Sequence, residues 1–319
     1  MKQLWMLATV LVLFLGSCSD DEPTSTTTSN MTFQFKFDPN QERLNEIGEP
    51  STIPQGNAAL SPDFNSMSVY YIELVPDKFT QIRDGAVVYE ASTQAAEPNP
   101  NFTEAVIFDQ AIVSDEEEQF LQIPIKDIPP GTYEYLRASV TFQNMDFNFN
   151  LINLPSPLPS SLNNQKGTIA GFIGFNTYIS QFAVKNQTIA INGDRHQGFW
   201  AFEPQLDQPY QDLYIQHANP SGVITGQNPV GATTVVNPLA PFGVELPFGS
   251  CIVTGQLEQP LTITGQENED LNITLSFSVN NSFEWVDVNG NGEWDIDASG
   301  NIQESLVDMG LRGLKVLID

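Results

Sequence analysis

A chain of 319 residues with 39 Asp and Glu against 12 Lys and Arg carries a formal charge of -27. That balance repels phosphate backbones and excludes nucleic acid as a partner, while remaining compatible with divalent cations. No HExxH, GxSxG or GxxxxGK[ST] string is present, and neither His196 nor His217 has a second histidine at ligand spacing, so the commonest hydrolase and nucleotide motifs are excluded too.

The chain opens with Lys2 and then an apolar run, Leu4 to Leu15. A spanning helix needs roughly 20 residues, and this run is shorter, which reads as a targeting segment. Leu15-Gly16-Ser17-Cys18 resembles the lipobox of bacterial lipoproteins. The resemblance implies that residues 1–17 are a signal peptide and that Cys18 carries acyl chains. Each buried methylene of such a chain contributes about 0.8 kcal/mol to membrane attachment. Ser19-Asp20-Asp21-Glu22 resembles the acidic export tag of Bacteroidota-type surface lipoproteins. It implies an outer-membrane address with the body facing the exterior. From Cys18 to Asn30 there is little apolar surface to bury, so residues 18–30 read as a disordered tether. With Cys18 consumed by lipid, Cys251 in Gly249-Ser250-Cys251-Ile252-Val253 has no intramolecular partner and reads as a small buried hydrophobe.

Beyond the tether, period-two alternation dominates. Phe33, Phe35 and Phe37 alternate with polar residues, as do Met145, Phe147, Phe149 and Leu151, and the pattern is clearest across Leu271 to Asn280. Such runs are strands with one wet face. Further strands are expected over 68–75, 86–90, 105–108, 120–125, 132–142, 168–175, 177–184, 187–191, 198–203, 252–255, 261–265 and 314–318. Short strands punctuated by Gly, Pro, Asn and Asp predict an all-β fold of one or two antiparallel β-sandwich domains. Helix is expected only at Gln41 to Ile47. Three prolines between Leu154 and Pro159 suggest a linker at 154–166, dividing a body of residues 31–153 from one of 167–319. Residues 205–243, rich in Pro, Gly and Asn, are expected to supply long loops.

The strongest local motif is Asp287-Val288-Asn289-Gly290-Asn291-Gly292-Glu293-Trp294-Asp295. Its oxygen side chains at alternate positions and its glycine at the sixth resemble the calcium loop of EF-hands and dockerin repeats. A hard cation takes six to eight oxygens, and glycine permits the sharp turn. The resemblance implies Ca2+ held by Asp287, Asn289, Asn291 and Asp295, with Glu293 offering its carbonyl. The twelfth position is Ala298 where the family has a bidentate Glu, so completion of the shell falls to Asp297, Glu304 or Asp308. A metal-free Asn-Gly turn is the competing reading.

Trp294, inside this polar loop, is a candidate stacking platform for a sugar ring; Trp200 and Phe202 share one strand face and read as core. The acidic run Asp115 to Glu118 reads as a solvated loop. The residues therefore point to a non-catalytic binding or assembly role with a surface glycan or protein as partner. A carboxylate-dependent hydrolase such as a glycosidase, and a glycan-binding module, are the alternatives.

Overall fold

The computed structural model describes residues 29–99, 101–298 and 304–319. The expected signal peptide, Cys18 and nearly all of the expected tether lie outside the described residues. Strands β1 (Asn30–Asp38), β2 (Asn57–Leu60), β3 (Asp63–Val75), β4 (Ala86–Glu90), β5 (Thr93–Asn99), β6 (Phe102–Ile107), β7 (Val113–Ser114), β8 (Gln119–Pro124) and β9 (Gly131–Ile152) form the first half. Strands β10 (Ser161–Phe172), β11 (Thr177–Ala183), β12 (Thr188–Arg195) and β13 (Phe199–Gln205) follow, then helix α1 (Tyr210–His217) and β14 (Ile224–Gln227). The chain closes with β15 (Ile252–Ile263), β16 (Leu271–Ser278), β17 (Phe283–Val286), β18 (Asp295–Asp297), β19 (Leu306–Asp308) and β20 (Leu314–Ile318). The all-β expectation holds.

β9 organises the molecule. Along one side it pairs β3; along the other it pairs β15 through its first half and β10 through its second. From β15 the sheet continues through β20 and β16 to β1 and β8. At the far margin the sheet turns back on itself. β7 pairs β3, residues 115–118 join β7 to β8, and Phe35 makes a bridge to Glu116. The acidic run is exposed, as expected, and Glu116 also accepts the Phe37 N–H at 2.8 Å.

The alternation read from sequence has a direct cause in β1. Met31, Phe33, Phe35 and Phe37 are buried and stack inward, Phe35 on Phe120 at 4.1 Å and Phe37 on Phe64 at 4.7 Å. On the other face, Gln34 donates to the Thr274 hydroxyl at 2.9 Å and Thr32 to Asn272 at 2.7 Å. β1 and β16 run parallel, as do β15 and β20, so the sheet is mixed where the sequence suggested antiparallel pairing alone.

A separate four-stranded sheet, β12-β11-β6-β5, adds a second layer. Its Ile179 and Phe182 pack against Phe142, Phe172 and Phe199 of β9, β10 and β13.

Three expectations are corrected. The halves 31–153 and 167–319 are not separate sandwiches, because β1 pairs β16 and β9 pairs β10 and β15 within one sheet. The segment 154–166 is no free linker. Leu154, Leu158 and Leu162 are buried in the main core, and β10 begins at Ser161. Residues 41–47 are not helical; Leu44 donates its N–H to the Arg312 carbonyl at 2.8 Å, and Asn45 organises a turn through Ile47 and Glu49. The described α-helix is α1, within the stretch expected as loops.

Candidate calcium loop and adjoining groove

β17 delivers the chain to the acidic loop. Phe283 and Trp285 are buried, fixing where residue 287 leaves the core, and β18 then pairs in parallel with the end of β9 and fixes where residue 295 returns. Between these anchors the loop curls around Asp287. Its Oδ1 accepts the N–H of Gly290 at 2.8 Å and of Asn291 at 3.2 Å, and its Oδ2 that of Gly292 at 3.0 Å. Gly292 has φ +75°, a left-handed conformation that side chains disfavour, which is why glycine stands at this position.

The alternate side chains converge. Asn289 and Asn291 both donate their amides to Asp295 Oδ2, the latter at 3.0 Å, while Asp295 Oδ1 accepts from Asn150 at 2.8 Å. Rotating either amide by half a turn exchanges nitrogen for oxygen, so the same two side chains can offer a carbonyl to a cation. Glu304 closes the loop from outside the motif. Its Oε2 accepts the Asp295 N–H at 2.6 Å and its Oε1 the Val288 N–H at 3.2 Å. Burial pushes the Glu304 carboxyl up, and the Asp295 and Asp287 charges push it further, against the hydrogen bonds from Asp295 and Val288. Three carboxylates and two amides thus share one loop, a donor set suited to a hard divalent cation. Among the described residues, no group of three or more His, Cys, Asp or Glu side chains is arranged to hold a metal ion.

The other expected residues fall elsewhere. Glu293 is exposed, with its N–H bonded to Asn291 Oδ1 at 2.8 Å. Asp297 follows on β18 and lines the neighbouring groove. Asp308 is not a loop residue: its carboxylate pairs with Arg312 and accepts the N–H groups of Thr234 and Gly310. Trp294 is corrected as well. It is 4% exposed, ringed by Phe147, Phe202 and Phe283, and its indole N–H donates to the Glu304 carbonyl at 3.1 Å. It anchors the loop to the core and offers no open face for a sugar.

Beside the loop lies a groove of about 480 Å³ between β14 and the segments 294–297 and 304–306. Trp200, half-buried, forms part of its wall. Sequence reasoning missed this groove because β14 sits in the Pro- and Gly-rich stretch, where only Val223-Ile224-Thr225 hints at a strand.

A second cavity bordered by Trp294, of about 390 Å³, is lined by Asp63, Asp146 and Glu293. Asp63 and Asp146 are cross-strand partners. Burial pushes the Asp146 carboxyl up, but hydrogen bonds from Lys185, Thr168 and Asn65 outweigh it and hold the group below its ordinary value. That is the environment of a structural ion pair, opposite to the raised carboxyl an acid catalyst requires. A smaller cavity of about 200 Å³ is bounded by Tyr70, Tyr71, Arg83 and Glu90. His196 is fixed between Asn176 (2.9 Å) and Asn99 (3.1 Å) and stacks on Phe102. Cys251 is fully buried, and burial pushes its thiol up to about 12.

The fold is all-β, with the acidic loop between β17 and β18 as its most distinctive local feature. No protein-family model, curated protein or solved structure matches the chain.

Proposed function

We propose that this chain is a lipid-anchored protein of the outer-membrane surface whose body is stapled by calcium at residues 287–304 and serves a non-catalytic binding or assembly role. The observation that carries the calcium reading is the convergence of Asp287, Asn289, Asn291, Asp295 and Glu304 around one loop. The loop joins β17 to β18, which belong to different sheets, so a cation there ties the three-stranded sheet to the end of β9. With the last family carboxylate replaced by Ala298, affinity falls in the range of extracellular modules, about 10⁻⁴ to 10⁻³ M. The anchor reading rests on the sequence alone, on Cys18 and the acidic residues after it.

Calcium at about 100 times its Kd adds roughly 2.7 kcal/mol to stability. The melting temperature is therefore expected to rise by several degrees between chelator and excess calcium, and Asp287→Ala with Asp295→Ala to abolish the rise. A wild-type melting curve indifferent to calcium overturns the reading. For the anchor, labelled palmitate is expected in the wild type and absent from Cys18→Ala, and protease added to intact cells is expected to degrade the body. Full protection would place it on the inner side.

A further inference from the structure

We propose that the groove beside the calcium loop is a subsite for a neutral carbohydrate, with the Trp200 indole as its stacking platform. Its volume, about 480 Å³, lies within the usual 300–1,000 Å³ of small-molecule sites. The wall combines one aromatic face with hydroxyl, amide and carboxylate groups from Asn228, Asp297, Glu304 and Ser305.

Trp200 is held ready. Its cross-strand neighbour is Gly226, where a Cβ would lie 2.1 Å from indole Cζ2, so the ring lies across a bare Cα. Its N–H donates to Asn228 Oδ1 at 3.3 Å, and Trp294 meets it nearly edge-on at 77°. A ring fixed in advance loses little freedom when a ligand stacks on it. The apolar C–H face of a pyranose suits such a platform, while its equatorial hydroxyls donate hydrogen bonds to carboxylates and accept them from amides.

The lining also selects against other ligands. It contains Asp295, Asp297 and Glu304 and no Lys, Arg or His, so the wall stays net negative even against one divalent cation and disfavours an anionic sugar or phosphate.

The inference rests on the calcium reading in one respect: Asp295 and Glu304 belong to both loop and groove, so calcium is expected to set the groove wall. The test uses the full chain with Cys18→Ser, applied in calcium to immobilised neutral oligosaccharides of glucose, mannose, galactose and xylose, and to sulfated and uronic counterparts. Retention on at least one neutral set, with a change in tryptophan fluorescence, is expected. Ser305→Trp adds bulk to the groove wall from an exposed position and is expected to weaken binding at least about tenfold with the melting curve unchanged; Trp200→Ala should do the same to binding. A folded wild type retained on no neutral sugar, or only on anionic ones, overturns the proposal, as does binding that both Ser305→Trp and Trp200→Ala leave intact. Sugar binding that persists in a protein whose melting ignores calcium would sustain the groove and overturn the calcium reading.

Discussion

Cys251 shows what a single residue reveals at each stage. Its neighbours Gly249, Ser250, Ile252 and Val253 already mark it as a small hydrophobe, and the structure buries it completely. With its thiol pushed up to about 12, almost none is thiolate at neutral pH. Maleimide labelling at pH 7.5 is therefore expected to be negligible in the folded protein and complete in denaturant; rapid native labelling would contradict the burial. Trp294 went the other way. Its sequence neighbours Glu293 and Asp295 are acidic, so local polarity argued for exposure. Phe147, Phe202 and Phe283, distant in sequence, surround it instead. Glu304 was legible as one of three acids able to complete the loop, but choosing it over Asp308 required knowing that Arg312 already occupies Asp308.

Strands with one wet face were legible because alternation is local: β1, β16 and β20 appear where the pattern placed them. β9 was read as two pieces, since Phe142 to Asn144 breaks the simple alternation, yet pairing on both sides carries it through without interruption. The connection after β3 depends on a feature that no periodicity reveals. Arg137 of β9 and Glu73 of β3 form a fully buried ion pair at 2.9 Å, and Arg137 also donates to the carbonyls of Thr80 and Gln81. Glu73 in turn accepts the Gly85 N–H at 2.7 Å. Removing one partner leaves an uncompensated buried charge, so Arg137→Ala is expected to cost about 3–5 kcal/mol in urea unfolding. Glu73→Gln, which keeps an acceptor for Gly85, should cost less. Equal losses would argue that the charge pairing, not the backbone contacts, holds the loop.

At the level of the whole molecule, the proline-rich segment misled because its three prolines look like a spacer while its leucines enter the core. Sheet continuity then makes a definite demand: the two halves should not survive apart. Equilibrium unfolding of the body is expected to follow one transition by tryptophan fluorescence and far-UV circular dichroism, and residues 167–319 expressed alone should lack cooperative melting. Two separated transitions would restore the two-body reading. The parallel pairing of β1 with β16 carries a further consequence, for the order of assembly. Gln34 waits for Thr274, 240 residues later, so the first strand synthesised has no neighbour on that side until nearly the entire chain exists. Such remote closure slows folding. A nascent chain released short of residue 271 would leave Phe33, Phe35 and Phe37 on an unpaired strand margin, which makes truncated products targets for proteolysis and full-length synthesis a condition of a finished body.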